Sequence, residues 1–188
     1  MRKLSVIFIV FSFLIAGCSN EKEDNIQDER MKEVSQSESE IKIVLADAHK
    51  NQIKNEGIQK ELEDVQRFFD ENSFQYNDGT VNFVVLRGLY NHDEEAMTVV
   101  GVFVNKTGES INGLTGTLAF DFIQEESTEF SELEFNFDSK FLGELQNNQG
   151  FLIHINFPVD GLEGEKDVYQ ATEITGEVKD VEVIYLNK

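Results

Sequence analysis

The chain has 188 residues, with 36 acidic against 16 basic side chains and a formal charge of −20 at neutral pH. Such a surface repels phosphate backbones and anionic headgroups, which argues against a nucleic-acid partner and against adsorption to a membrane by charge. A single cysteine excludes an intramolecular disulfide, so the fold must rest on its core, and the 16 Phe with many Val, Ile and Leu suffice for one domain of ordinary size.

In chain order, Met1-Arg2-Lys3 is a short basic start, and the stretch from Leu4 to Ala16 is apolar except for Ser5 and Ser12. That is the pattern of a secretory signal, too short to span a bilayer comfortably. It closes on Leu14-Ile15-Ala16-Gly17-Cys18-Ser19. These residues resemble the lipobox of bacterial lipoproteins, with aliphatic Ile15 three before the cysteine and small Ala16 and Gly17 between. The resemblance implies that residues 1–17 are a signal peptide, that the Cys18 sulfur is diacylglycerylated, and that a dedicated peptidase cuts before it. A lone cysteine after an apolar run can also be a buried thiol or part of an uncleaved anchor. The basic start, the apolar length and the small residues together favour lipidation. Two acyl chains anchor stably where one is marginal, at about 0.8 kcal/mol per buried methylene. The expected location is the extracytoplasmic face of the cell membrane, with the diacylglyceryl anchor at Cys18 as the membrane contact. Cleavage would remove Arg2 and Lys3 and no acid, leaving 14 basic against 36 acidic residues.

Residues 18–40 read as a disordered, lipidated tether. Ser19-Asn20-Glu21-Lys22-Glu23-Asp24-Asn25 is polar and charged, and Ser35-Gln36-Ser37-Glu38-Ser39-Glu40 is nearly low complexity, so little apolar surface offsets the entropy of ordering. A coil of this length spans about 25 Å. Residues 41–76 read as a helical segment, because Ile58, Leu62, Val65 and Phe69 recur at helical spacing. The β-branched run from Ile41 to Ala46 suits a short strand equally well, and Gly57 argues against one helix across the whole stretch.

Residues 77–188 change to period two and predict six strands. Val81, Phe83 and Val85 share one face of the first, about 81–90. The second covers about 97–105, after the polar turn Asn91-His92-Asp93-Glu94-Glu95. In the third, about 113–123, Leu114, Leu118, Phe120 and Phe122 alternate with Thr115, Thr117 and Asp121. Phe130, Leu133, Phe135 and Phe137 mark the fourth, and Phe151, Ile153, Ile155 and Phe157 the fifth, which Pro158 ends. The last covers about 178–186. Short strands, regular turns and one apolar face each predict a mainly β fold, a small antiparallel immunoglobulin-like sandwich preceded by a helical segment. Asn105 to Ser110 reads as a hairpin turn in which Gly108 takes a positive φ.

Two stretches carry a second resemblance. Val100-Gly101-Val102-Phe103-Val104-Asn105-Lys106-Thr107-Gly108 with Ile111-Asn112-Gly113-Leu114 resembles the strand, turn and strand of SLAP-type domains of Gram-positive bacteria. Phe141-Leu142-Gly143-Glu144-Leu145 with Asn148-Gln149-Gly150-Phe151 is similar to that family's second recurrent segment. The similarity covers about residues 81–187. It implies a small all-β surface domain associated with surface-layer assembly or accessory secretion, with no catalytic residue. Similar strand-turn-strand patterns occur in other small extracellular domains of Gram-positive lipoproteins.

Chemistry-bearing motifs are sparse. His49, His92 and His154 have no metal-ligand spacing, and His154 is expected as a partly exposed strand residue. Gly108-Glu109-Ser110-Ile111-Asn112-Gly113 has its second glycine one residue late for a nucleophile elbow, and no helix follows. Asn105-Lys106-Thr107 is formally a glycosylation sequon. Asp93-Glu94-Glu95 and Gln124-Glu125-Glu126 are acidic turns without the ligand spacing of a calcium loop. No catalytic residue, cofactor or metal is expected. The expectation is a non-catalytic surface binding or structural module with an envelope or secreted protein partner; the resemblance adds an accessory role in export or surface-layer assembly. A wall-polymer hydrolase would need paired carboxylates across a cleft, and the chain has no Trp for an aromatic subsite.

Overall fold

A computed structural model describes residues 41–123, 132–159, 162 and 166–186. Cys18 with its lipobox residues Ile15, Ala16 and Gly17, the tether, the acidic turn at Gln124 and the first apolar residue of the fourth expected strand, Phe130, lie outside them.

The helical segment opens with a strand. Lys42–Val44 is β1, followed by a 3-10 helix, Asp47–Lys54, and then α1, Glu56–Glu71. The side chain of Asn55 caps α1 by accepting the Gly57 N–H at 2.8 Å. Gly57 thus sits in the first turn of α1, where its low propensity does little harm. At the other end Asn72 Nδ2 donates to the Phe68 carbonyl at 2.8 Å, which satisfies one of the last orphan acceptors.

Seven further strands follow: β2 Val81–Asn91, β3 Ala96–Asn105, β4 Ile111–Phe122, β5 Leu133–Phe137, β6 Gln149–Pro158, β7 Val168–Gln170 and β8 Ile174–Tyr185. A short helix, α2 Ser139–Leu142, sits between β5 and β6. The strands form two sheets, a five-stranded one in the order β1-β6-β3-β2-β7 and a three-stranded one in the order β5-β4-β8. They pack as the sandwich that the period-two patterning predicts. All pairings are antiparallel except β1 with β6, which run parallel. The two strands beyond the expected six, β1 and β7, have three residues each and lie at the edges of the larger sheet.

One core lies between the sheets. Phe103 has no exposure and packs on Phe83, Phe135 and Phe151 at ring separations of 4.7, 5.1 and 5.3 Å. Phe120 stacks on Phe157 at 5.0 Å. A second core lies on the opposite face of the five-stranded sheet, where Val65 and Phe69 of α1 meet Val100, Val102, Val104 and Leu152. β3 is the central strand of five and is buried on both faces, which explains its continuous apolar run from Val99 to Val104. Gly101 interrupts that run because the Phe83 ring lies over it; an added Cβ would fall 2.4 Å from Phe83 Cζ.

The turn after β3 is a correction. Gly108 has φ +87°, as expected, but β3 and β4 belong to different sheets, so residues 105–110 form a crossover and not a hairpin. Asn105 organises it. Its side chain is fully buried, Nδ2 donates to the Glu109 and Leu145 carbonyls at 2.8 and 2.9 Å, and Oδ1 accepts from Thr107 N–H and Oγ1 at 3.0 and 2.7 Å. All hydrogen-bonding positions of the amide are thereby engaged, and the sequon nitrogen has no access for a sugar.

Candidate functional site

The polar groups that converge do so along α1, on the outer face of the five-stranded sheet. Glu61 lies beside the apolar stripe of α1, and its side chain is only 19% exposed. Arg87 Nη2 donates to Glu61 Oε1 at 3.2 Å, and His154 Nε2 lies 3.1 Å from the same oxygen. A carboxylate only accepts, so in this contact His154 carries its proton on Nε2.

Arg87 reaches this face because of a β-bulge. The register of β2 against β3 slips between Val85 and Arg87. Before the slip Val81, Phe83 and Val85 face the inter-sheet core, and after it Gly88 and Tyr90 do. Strict alternation from Val85 would have turned Arg87 into that core. The extra residue puts Leu86 and Arg87 together on the helix side. His154 arrives from β6 by simple alternation, next to buried Leu152 and opposite Phe151 and Ile153, and is half exposed as expected.

Two cavities flank this carboxylate, and Glu61 lines both. One of about 540 Å³ is bounded by Lys60, Asp64, Phe68, Arg87 and Val100. The other, about 350 Å³, is more apolar and is bounded by Leu45, His49, Ile58, Phe141, Ile153 and His154. His49 and His154, far apart in sequence, thus share a cavity wall, and the His49 ring sits edge-on to Phe141 at 5.5 Å. The third histidine, His92, lies elsewhere and contacts Asp167 at 3.0 Å. A further recess on the outer face of the three-stranded sheet is lined by Thr115, Thr117, Glu134, Asn136 and Asp180.

Glu61 Oε1 is contacted by a guanidinium and an imidazole, both about half exposed. Among the described residues no group of three or more His, Cys, Asp or Glu side chains converges to hold a metal ion, and no helix is long and apolar enough to cross a membrane. The Lys166 ammonium and the Gln170 N–H, both bonded to Glu173, hold its carboxyl below the ordinary 4.5, and Glu132 beside Lys179 holds that ammonium above its ordinary value.

The acidic residues Asp93, Glu94 and Glu95 occupy the β2–β3 turn, as expected. What sequence reading missed is the Glu61–Arg87–His154 cluster, whose acid and imidazole are 93 residues apart. The visible signal was an acid beside an apolar helical stripe. Compared with known families, curated proteins and solved structures, the chain finds no match.

Proposed function

We propose that the protein is a membrane-anchored extracytoplasmic lipoprotein, held by a diacylglyceryl group on Cys18, whose folded part is a non-catalytic module that binds an envelope or secreted protein. The observation that carries the binding half is the pair of cavities on either side of α1 that share Glu61, whose carboxylate is contacted by Arg87 and His154. Concave surfaces lined by apolar side chains with a few converging polar groups are where proteins bind partners and ligands. The anchoring half is supported by the basic start, the apolar run and the small residues before Cys18.

The test uses cells expressing the full chain or its Cys18→Ser variant, labelled with a clickable palmitate analogue and fractionated. Label and membrane retention in the parent, both lost in the variant, are expected; retention of the variant would overturn the anchor. Crosslinking from Lys60, at the mouth of the larger cavity, should capture a discrete partner. A second reading, an accessory factor in protein export or surface-layer assembly, is favoured by the SLAP-type segments Val100–Gly108 and Phe141–Leu145. It predicts that deleting the gene changes the profile of surface proteins.

A further inference from the structure

The edges of the larger sheet are treated unequally. β1 exposes one edge, and α1 covers it with a side chain: Gln66 Oε1 accepts the Ile43 N–H at 2.8 Å, and Gln66 Nε2 donates to the Ile41 carbonyl at 2.9 Å. A glutamine amide there stands in for the next strand and blocks it. β1 itself pairs with β6 only from Gln149 to Phe151, and the chain then turns away into the 3-10 helix.

Beyond that point β6 continues to Pro158 with β3 on one side and no strand on the other among the described residues. The direction of its backbone groups follows from period two. Lys42 N–H donates to the Asn148 carbonyl on the β1 side, and Val159 N–H donates to the Glu95 carbonyl on the β3 side. Even-numbered residues of β6 therefore point their N–H and C=O away from β3. His154 and Asn156 each present a donor and an acceptor on that edge, and Pro158 closes it with no donor to offer.

The 350 Å³ cavity lies on the same edge. Leu152 and His154 from one face of β6 and Ile153 from the other line it together, which places it at the side of the strand and not on either face. Leu45, the residue after β1, lines it too, so the cavity occupies the path that β1 leaves vacant. Ile58 and Phe141 give it an apolar wall.

We infer that the edge of β6 from Leu152 to Pro158 accepts an extended segment of a partner polypeptide as an added strand, with one large apolar side chain in the cavity and Lys or Arg beside it. The ladder atoms supply affinity and the cavity supplies selectivity, as in other strand-addition modes. The basic flanks follow from charge: the chain carries −20, and Glu61 lines the cavity. This mode presupposes the binding module described above but not its lipid anchor.

The test uses the full chain in mild detergent and three capped heptapeptides: Lys-Val-Lys-Leu-Lys-Val-Lys, the same with Pro for Leu, and the same with Glu for every Lys. Hydrogen exchange of the 152–158 segment is followed at single-amide resolution. The lysine peptide should slow the His154 and Asn156 amides, which exchange quickly without it, and bind less tightly as salt rises. The proline peptide should bind about tenfold more weakly, having lost its central N–H and its apolar anchor, and the glutamate peptide should give no protection. Asn156→Pro in the protein should weaken the lysine peptide similarly. Protection of these amides before any peptide is added, no protection with the lysine peptide, or equal binding of the glutamate peptide would each overturn the inference. A Lys60 crosslink in cells with no peptide protection would refute the edge and leave the binding module standing; peptide protection with Cys18→Ser still on the membrane would do the reverse for the anchor.

Discussion

Asn105 is the residue whose replacement discriminates most sharply. It ends β3, has no solvent exposure, and makes four hydrogen bonds that fix the crossover between the sheets. Asn105→Ala removes all four, but not every partner is stranded. The Leu145 carbonyl keeps the Ile111 N–H at 3.0 Å, and the Glu109 carbonyl keeps Thr107 Oγ1 at 3.1 Å. The Thr107 N–H is left without its acceptor. With net hydrogen bonds near 1 kcal/mol and a stranded buried group at 1–3, the loss is about 2–4 kcal/mol. Asn105→Asp preserves the acceptor for Thr107 but sets an anionic oxygen against two carbonyl oxygens that now receive N–H donors. Among the described residues no counter-ion contacts that position, so Asp should cost at least about 1 kcal/mol more than Ala. Urea unfolding of both variants, followed by circular dichroism, gives the order directly, provided the slope against urea is unchanged. An aspartate variant as stable as the alanine one, or more so, would refute the assignment of the amide donors.

Other perturbations probe other layers. Phe69→Ala, which empties the contact of α1 with the sheet and with Phe74, whose ring lies 4.9 Å from that of Phe69, should cost about 3–5 kcal/mol in the same assay. Gln66→Ala should cost about 1–2 kcal/mol and speed hydrogen exchange at Ile43, whose N–H it leaves without its acceptor. Glu61→Gln breaks pairs whose partners are half exposed, so stability should fall by less than about 1 kcal/mol while crosslinking from Lys60 drops markedly. Glu173 has a folded-state pKa below its ordinary 4.5, so its stabilisation is complete above pH 4.5 and is lost as pH falls through the lower folded value. Thermal midpoints measured from pH 6 to pH 3 should therefore fall less steeply in Glu173→Gln than in the parent.

The strands were legible because burial on one face writes itself into alternate residues, as in Leu114, Leu118, Phe120 and Phe122 of β4. The helix was legible from Ile58, Leu62, Val65 and Phe69. β7 was not, since three residues hold too short a period to read, and β1 stayed ambiguous between strand and helix for the same reason. The crossover after β3 was read as a hairpin because a turn with Asn105 and Gly108 is chemically the same whether the next strand pairs or changes sheet. The second core was written in the run from Val99 to Val104, which lacks polar alternation because both faces of β3 are covered. The site was least legible. Arg87 reaches Glu61 only through a bulge that reverses the face assignment of β2, and a single sequence carries no local mark of where such a slip falls.

The most direct test of a lipid-anchored binding module is site-specific photocrosslinking in intact cells, with the probe at Lys60 beside the larger cavity or at Glu182 on the three-stranded sheet. Lys60 should yield one discrete adduct in the membrane fraction, absent from the Glu182 probe and shifted out of the membrane fraction by Cys18→Ser. Equal adducts from both positions, no adduct from Lys60, or an adduct that stays with the membrane in the serine variant would contradict the account.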